Sequence, residues 1–424
     1  MAAITAVDPA PASIIPFGAL LLAIALAPVF LKHHWERHYR TISAGLGAIT
    51  VCYYVFWMKA GGEILHVASD YLAFMAIVGS FFAISGGIHI RVRSEARPWV
   101  NTLFLLGGVL LGSLIGTTGA SMLLIRPWIR MNKYRFTGHH IAFFIFLVSN
   151  IGGALVPLGP PLVMGLTKGV PFWWPLLHCW MPWATTTACV LVMFYIVDRV
   201  NYLRAPRAIR EIETGALQWR IDGRRNLLFI AFALVAVVAF PPGIRELAMV
   251  AAAALSYLTT PKPVHDANEF TFAPVREIAW LFAGIFATMI PALDYLSLHA
   301  GKLGLHSDMQ FYWFSGLLSG VLDNAPTYLA FLAAALGLGH LSLGNPGDMA
   351  AFLAQDGRNL AALSLGSSCF GALTYIGNGP NLIVKSIAVH SGVNTPGFLR
   401  YAISYAFPVL IPVFLLVSWL FFRG

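Results

Sequence analysis

Residues 149–159 read Ser-Asn-Ile-Gly-Gly-Ala-Leu-Val-Pro-Leu-Gly, and residues 367–377 read Ser-Ser-Cys-Phe-Gly-Ala-Leu-Thr-Tyr-Ile-Gly. The two stretches agree at five of eleven positions, and each interrupts a long apolar segment with glycine. Similar stretches that recur along a chain indicate an internal repeat. We therefore interpret the chain as two related halves, each of which contains a broken helix.

The composition places these stretches in a membrane protein. Of the 424 residues, 58% are hydrophobic and 11% are charged, whereas a soluble domain has about 25% charged residues. A helix needs about 20 mostly apolar residues to cross the bilayer. The segments that meet this criterion are residues 14–31, 43–60, 66–90, 139–166, 172–197, 226–241, 245–260, 278–298, 360–388 and 399–422. The predicted fold class is an all-α polytopic membrane protein with about ten transmembrane helices, and its main partner is the lipid bilayer.

Lys and Arg occur in short clusters between the apolar segments, which indicates membrane topology rather than nucleic-acid binding. A full crossing by residues 98–125 would put its two basic flanks, 91–97 and 126–135, on opposite faces, against the positive-inside rule. We therefore predict a re-entrant hairpin that opens to the cytoplasm at 98–125, and one that opens to the outside at 310–337. Both termini then lie outside an inner (plasma) membrane, and residues 199–225 form a basic cytoplasmic loop.

The loop divides the chain into a first repeat, residues 1–198, and a second repeat, residues 226–424. Each repeat contains five spans, one hairpin and one broken helix. Since the first begins outside and the second inside, the two repeats are predicted to be inverted relative to each other. A homodimer is compatible with this architecture.

Irregular backbone at membrane depth persists only where it lines a cavity or is buried in protein, so paired broken helices point to the transport site. Asp323 is an ionisable group deep in an apolar stretch, which by default marks an ion or proton pathway and makes it a candidate Na⁺ ligand. The other predicted ligands are small polar residues and glycines in or beside the breaks: Asn324, Thr327, Thr117, Thr118, Ser121, Ser149, Asn150, Gly159, Thr374, Gly377, Asn378 and Asn381.

His139 and His140 precede a predicted span, and no carboxylate or cysteine accompanies them at ligand spacing. We expect them to be membrane-interface residues rather than metal ligands. The chain also lacks hydrolase motifs such as G-x-S-x-G and H-E-x-x-H. We therefore expect neither an enzyme nor an organic cofactor, and only Na⁺ or H⁺ as the coupling or transported ion.

The same motifs resemble those of the ion transporter superfamily, over nearly the whole chain. This superfamily includes sodium/proton antiporters of the NhaD type, arsenite efflux pumps of the ArsB type, citrate transporters of the CitMHS type and divalent-anion/sodium symporters. Residues 323–326, Asp-Asn-Ala-Pro, are similar to the hairpin tip of the antiporters and arsenite pumps. Residues 378–381, Asn-Gly-Pro-Asn, are similar to the Pro-Pro-Asn of the carboxylate symporters.

The resemblance implies a secondary transporter that works by alternating access and binds a small inorganic ion or a carboxylate. We expect sodium/proton antiport, with Asp323 alternately protonated and bound to the cation. Proton- or cation-coupled transport of citrate or another di- or tricarboxylate is the alternative, in which helix N-termini near Asn150, Asn378 and Asn381 would cradle the anion. Arsenite-type efflux and an intramembrane enzyme are less favoured.

Overall fold

A computed structural model describes residues 8–93, 96–206, 218–343 and 345–423. Six helices in these ranges are long and apolar enough to cross a membrane: Pro11–Pro28, Gly61–Gly86, Pro98–Ile115, Trp174–Arg204, Ala273–Leu303 and Phe398–Phe421. Shorter apolar helices lie at Gly138–Ala154, Arg225–Ala239 and Asn324–Leu338. The prediction of a mainly helical polytopic membrane protein is therefore confirmed.

The α-helices, in chain order, are Ile15–Phe30, Lys32–Cys52, Gly61–Gly86, Pro98–Ile115, Thr117–Met131, Gly138–Leu147, Pro160–Thr167, Trp174–Arg204, Arg225–Ala239, Ile244–Thr259, Lys262–Ala267, Ala273–His299, Asp308–Ser319, Asn324–Leu338, Pro346–Cys369, Gly379–His390, Phe398–Tyr401 and Phe407–Phe421. Two π-helical turns, Tyr53–Trp57 and Ala402–Ala406, extend apolar helices. Each of the ten apolar segments is mainly helical. The number that cross the membrane stays a prediction.

A small antiparallel sheet, which the sequence did not indicate, joins strand His89–Arg93 to strand Gln218–Asp222. Its register pairs His89 with Asp222. The sheet connects the end of helix Gly61–Gly86 to the end of the predicted basic loop, of which residues 207–217 lie outside the described residues. The fold therefore includes a short β-ribbon beside the helices, in place of an entirely irregular loop.

At each predicted hairpin the chain forms a pair of helices that folds back on itself, and a re-entrant path of these pairs in the membrane stays a prediction. The first hairpin, residues 98–131, turns at Gly116, which has a φ of 78°. Its two ends meet, since Asn101 Nδ2 donates to Asn132 Oδ1 at 2.8 Å. The second hairpin, residues 308–338, brings the rings of Phe311 and Phe331 to a centroid distance of 6.5 Å. The first hairpin is longer than predicted, because its second arm continues past the basic residues that follow position 125.

The open ends, or bases, of the two hairpins lie at opposite ends of helix Gly61–Gly86. Near the C-terminal end, Arg126 of the first hairpin contacts Glu269 at 2.8 Å, and Asn268 donates to the carbonyl of Gly86. Near the N-terminal end, Glu63 and the residues that follow the second hairpin line one cavity of about 280 Å³. The bases of the two hairpins therefore face opposite ends of this helix, and the side of the membrane to which each hairpin opens stays a prediction.

Two broken helices form the centre of the molecule. The first comprises Gly138–Leu147, a 3₁₀ turn at Ile151–Ala154, and Pro160–Thr167. The second comprises Pro346–Cys369, a 3₁₀ turn at Phe370–Leu373, and Gly379–His390. Every residue from 139 to 159 and from 360 to 378 is buried. Protein, rather than lipid, therefore surrounds the irregular backbone, as its unpaired N–H and C=O groups require.

Candidate functional site

Three asparagine side chains join the two broken helices. Asn378 Nδ2 donates to the carbonyl of Ser149 at 2.8 Å and to Asn150 Oδ1 at 3.2 Å. Asn150 Nδ2 in turn donates to Asn381 Oδ1 at 2.8 Å and to the carbonyl of Ile145 at 2.8 Å. All three asparagines are buried. We call Asn150, Asn378 and Asn381 the amide cluster; it brings together residues more than two hundred positions apart.

The glycines of the two breaks make matching close contacts. A Cβ on Gly159 would lie 3.1 Å from the carbonyl oxygen of Gly153, and a Cβ on Gly377 would lie 2.7 Å from that of Gly371. The two glycines of each pair are six positions apart, and the pairs occupy equivalent positions in the repeated stretches. At such distances a side chain forces the backbone to shift. Each break therefore bends back on itself in the same way, and glycine permits this.

The two hairpin tips contact the two breaks at equivalent places. Thr117 and Asn324 each begin a 15-residue helix, the second arm of a hairpin. A Cβ on Gly153 would lie 2.6 Å from Cγ2 of Thr117, and one on Gly371 would lie 3.2 Å from Nδ2 of Asn324. The Cβ on Gly371 would also lie 2.9 Å from Oδ1 of Asn150. Gly371 therefore lies beside both the second tip and the amide cluster.

Two side-chain oxygen atoms at these tips are buried and have no hydrogen-bond partner among the described residues: Oγ1 of Thr117 and Oδ1 of Asn324. A buried polar atom without a partner costs about 1–3 kcal/mol, so native proteins contain few of them. Their occurrence at matching positions of the two hairpins is the feature expected of ligands that bind an ion or a water.

Asp323 caps the N-terminus of helix Asn324–Leu338, the second arm of the second hairpin. Its Oδ1 accepts a hydrogen bond from the backbone N–H of Ala325 at 3.1 Å, and its carbonyl accepts one from Thr327 Oγ1 at 2.9 Å. The carboxylate is half-buried, and no Lys or Arg of the described residues forms an ion pair with it. When it is ionised, one backbone N–H only partly offsets its charge. Thr327 supports the turn and does not contact the amide cluster through its hydroxyl.

The remaining predicted residues divide into two groups. Ser121 and Ser149 share a hydrogen bond of 2.8 Å that attaches the first hairpin to the first break. Thr374 uses its hydroxyl within the second half, donating to the carbonyl of Gly320 at 2.7 Å and accepting from the backbone N–H of Gly377 at 3.1 Å. Thr118 instead lines a narrow crevice against helix Gly61–Gly86. Thr117 also lines this crevice, but Thr118, unlike Thr117, has no close approach to a glycine of the first break among the described contacts.

The amide cluster leaves few N–H groups for an anion. Asn150 and Asn378 each donate two hydrogen bonds, as described, and Asn381 Nδ2 donates to the carbonyls of Gly371 and Thr374 at 2.9 and 3.0 Å. The side-chain donors of all three amides are therefore occupied. The fully buried side-chain atoms without partners at the tips are Oγ1 of Thr117 and Oδ1 of Asn324, and oxygen atoms are the ligands that hard cations prefer.

A buried ionic cluster at the base of the first hairpin corrects our expectation for His139 and His140. The side chain of Asp198 lies between the two histidines and Arg135. Asp198 is 59 positions from His139 in the sequence. Asp198 Oδ1 is 3.3 Å from Nε2 of His139 and 3.2 Å from Nε2 of His140, and Asp198 forms an ion pair with Arg135. Asn101 donates to Asp198 Oδ2 at 2.8 Å. A carboxylate does accompany the histidines, but on a distant helix, so the local sequence spacing was misleading.

The ligand atoms of His139, His140 and Asp198 lie within 4.8 Å of one another, as a metal site would need. Two contacts oppose that use. The guanidinium of Arg135 already neutralises the carboxylate. The backbone N–H of Thr137 donates to Nδ1 of His140 at 3.2 Å, so in the neutral imidazole the hydrogen is on Nε2, which faces Asp198 instead of being free for a metal. The cluster therefore fastens the hairpin base to helix Trp174–Arg204.

A second ionic contact lies at the other end of the molecule, in the cavity beside the second hairpin base. Lys168, which follows the first broken helix, forms a buried ion pair with Asp70. Across the same cavity, the hydroxyl of Tyr54 donates to Asp294 Oδ2 at 2.7 Å. The sequence contained no local signal for these pairs, whose members are 98 and 240 positions apart. The Lys168 pair connects the first broken helix to helix Gly61–Gly86. The Tyr54 pair connects the turn Tyr53–Trp57 to helix Ala273–His299 in the second half of the chain.

Comparison with known proteins identifies the family of this chain. No curated protein matches the chain. The family model CitMHS_2, described as "Putative citrate transport", matches residues 8–422, which is nearly the whole chain. The predicted resemblance to transporters of the CitMHS type is therefore confirmed, and this membrane protein of broken helices and paired hairpins belongs to the CitMHS_2 family.

Proposed function

We propose that the protein is a secondary active transporter that exchanges sodium for protons by alternating access. In this mechanism Asp323 binds either a proton or the cation, and Asn324 Oδ1 and Thr117 Oγ1 complete the oxygen ligands as the tips and breaks move. Membership of a transporter family supports the transport function, and the chemistry of the site supports the choice of ion.

One observation carries the choice of a cation. Among the buried side-chain oxygens without partners in the described residues, one lies at each hairpin tip, and the one at the second tip directly follows a carboxylate that has no basic partner among those residues. Hard cations such as Na⁺ bind oxygen ligands, commonly a carboxylate together with backbone carbonyls and hydroxyls. A carboxylate can exchange its proton for such a cation, whereas a site of neutral oxygens cannot.

We further propose that the two halves, residues 1–198 and 226–424, are inverted repeats of five spans each in the inner membrane. The matching contacts of Gly153 with Gly159 and of Gly371 with Gly377 support the repeat. The opposite directions of the two hairpins support the inversion. The arginine-rich loop then lies in the cytoplasm, with both termini outside.

A second candidate is cation- or proton-coupled transport of citrate or a similar carboxylate, which the description of the family favours. An anion would need donors, and the amide cluster has none to spare in the structure. Binding would therefore require the amides to exchange their present partners for carboxylate oxygens. We place this function second because the antiport reading needs no such rearrangement.

Purified protein in liposomes that enclose a pH-sensitive dye separates the two functions. If the protein is a sodium/proton antiporter, a sodium pulse should change the internal pH. Lithium and potassium pulses then measure its ion selectivity. Uptake of labelled citrate, with and without a proton or sodium gradient, measures the alternative. Citrate uptake without any response to cation pulses would overturn the antiport proposal.

A further inference from the structure

A cavity of about 450 Å³ lies outside the proposed transport site, beside the short β-ribbon. It is found at the end of helix Gly61–Gly86 where the first hairpin has its base. One wall consists of the second strand and the turn that follows, with Arg220, Asp222 and Arg224. The other wall is apolar and comes from the segment that includes Pro261 and Val264. The cavity thus combines a cationic wall with an apolar one.

The cationic wall is rigidly attached to the helices beneath it. Gly223 has a φ of 78°, and a Cβ there would lie 2.0 Å from the carbonyl oxygen of Gly87, so the turn requires glycine. Asn226 Nδ2 donates to that carbonyl at 2.6 Å and to Thr260 Oγ1 at 2.9 Å, while Ser256 donates to Asn226 Oδ1 at 2.6 Å. These bonds hold the turn in place, and the two arginines lie on either side of it.

Each arginine donates a hydrogen bond to the described residues only from the inner nitrogen, Nε, of its guanidinium. Arg220 Nε donates to Asp222 Oδ1 at 3.1 Å, and Arg224 Nε donates to the carbonyl of Ile221 at 3.2 Å. The outer nitrogens of each guanidinium form no hydrogen bond with the described residues. Paired N–H groups of this kind bind a phosphate through two parallel hydrogen bonds. Among the described residues, Asp222 is the one acidic residue of the lining beside two arginines, so the charges of the described lining are positive in sum.

The position of the cavity indicates which phosphate it would bind. The two strands directly adjoin the apolar helices Gly61–Gly86 and Arg225–Ala239, so the cavity lies where those helices leave the membrane. Basic pockets between helices at this level bind the headgroups of anionic lipids. We propose that the cavity binds the phosphate of an anionic phospholipid through Arg220 and Arg224, with Pro261 and Val264 against the apolar part of the lipid.

The test measures the thermal stability of the purified full chain in detergent as dioleoyl phosphatidylglycerol is added. The test variant is Arg220→Gln/Arg224→Gln. The control variant, Lys302→Gln/Arg400→Gln, also removes two exposed positive charges but lies outside the cavity. We expect the apparent affinity for the lipid to fall about 25-fold in the test variant, roughly fivefold for each basic group, and to stay unchanged in the control.

Further arms identify the source of the phosphate. Dioleoyl phosphatidylcholine, inorganic phosphate and glycerol phosphate should each stabilise the protein far less than phosphatidylglycerol does. An equal response to the two soluble phosphates would overturn the lipid assignment, and equal affinity of wild type and the Gln variant would overturn the site. If the Gln variant does not fold, Arg220→Lys/Arg224→Lys replaces it. That variant keeps the charge but loses the two-pronged contact, so unchanged affinity there would also reject the site.

Discussion

Asp323→Asn is the substitution that most directly tests the proposed exchange of a proton for a cation. In the structure, the side chain of Asp323 makes one hydrogen bond, from the N–H of Ala325 to Oδ1 at 3.1 Å. An asparagine oxygen can accept the same bond, and Asn and Asp cap helices about equally well. The substitution should therefore change the free energy of unfolding by no more than about 0.5 kcal/mol.

Transport should respond quite differently from stability. An amide cannot release a proton when a cation binds, so sodium-driven proton movement should fall by at least about 100-fold, the scale on which positioned proton-transfer groups act. The assay is the initial rate of internal pH change after a sodium pulse, in liposomes that contain equal amounts of folded wild type or variant. Any residual flux should be independent of pH.

Asp308→Asn supplies the matched control, because it removes a carboxylate from the base of the same hairpin. Asp308 contacts Arg358 at 2.8 Å, and the arginine side chain is 63% exposed. Such an exposed pair contributes about 0–1 kcal/mol. The control should retain nearly normal flux. Sodium-coupled proton flux that survives in Asp323→Asn with an unchanged pH profile would refute the antiport mechanism.

Three further substitutions test the surroundings of the site. Gly371→Ala places a Cβ within 3.0 Å of two buried oxygen atoms, so it should lower the free energy of unfolding by about 1–3 kcal/mol. Gly379 has open space around it, so Gly379→Ala should leave that free energy unchanged. Equal melting temperatures of the two variants would contradict the predicted overlap. Thr117→Val keeps the methyl contact but removes the oxygen without a partner, so sodium-driven proton flux should fall about tenfold or more. Thr118→Val should stay active. A larger loss of flux in Thr118→Val than in Thr117→Val would exclude Thr117 as a ligand. Asp198→Asn leaves a buried arginine unpaired and should destabilise the protein by about 3–5 kcal/mol, measured by thermal unfolding in detergent; an unaltered melting curve would mean that the cluster does not fasten the hairpin.

The positions of the breaks and tips could be predicted because their signals are local. Glycine and proline within apolar segments disrupt helices wherever they occur. Basic flanks on both sides of residues 98–125 likewise identified a hairpin without any knowledge of packing. The end of that hairpin was harder to place. Its second arm continues to Met131 through Pro127, since an apolar segment marks the membrane interior and not the end of a helix.

The contacts between distant segments could not be predicted in this way. His139 and Asp198 are 59 positions apart, and nothing in either local stretch indicates that they meet. The β-ribbon is a similar case, because its strands are short and the first follows a long apolar helix directly. The amide cluster could be predicted only in part. Each asparagine was identifiable from its place in a break, but the mutual hydrogen bonds that occupy their donors became evident only with the fold.

The two hairpin tips match in geometry but not in charge, and packing explains the difference. Asp323 and Gly116 each immediately precede a 15-residue helix, so they occupy equivalent positions in the two halves. A Cβ on Gly116 would lie 2.7 Å from the carbonyl oxygen of Leu158, and its φ of 78° disfavours other residues. The first tip therefore cannot carry a second carboxylate. On the proposed function, the repeat provides two similar oxygen positions but only one group that titrates, so each transport cycle should exchange the cation at the second tip alone.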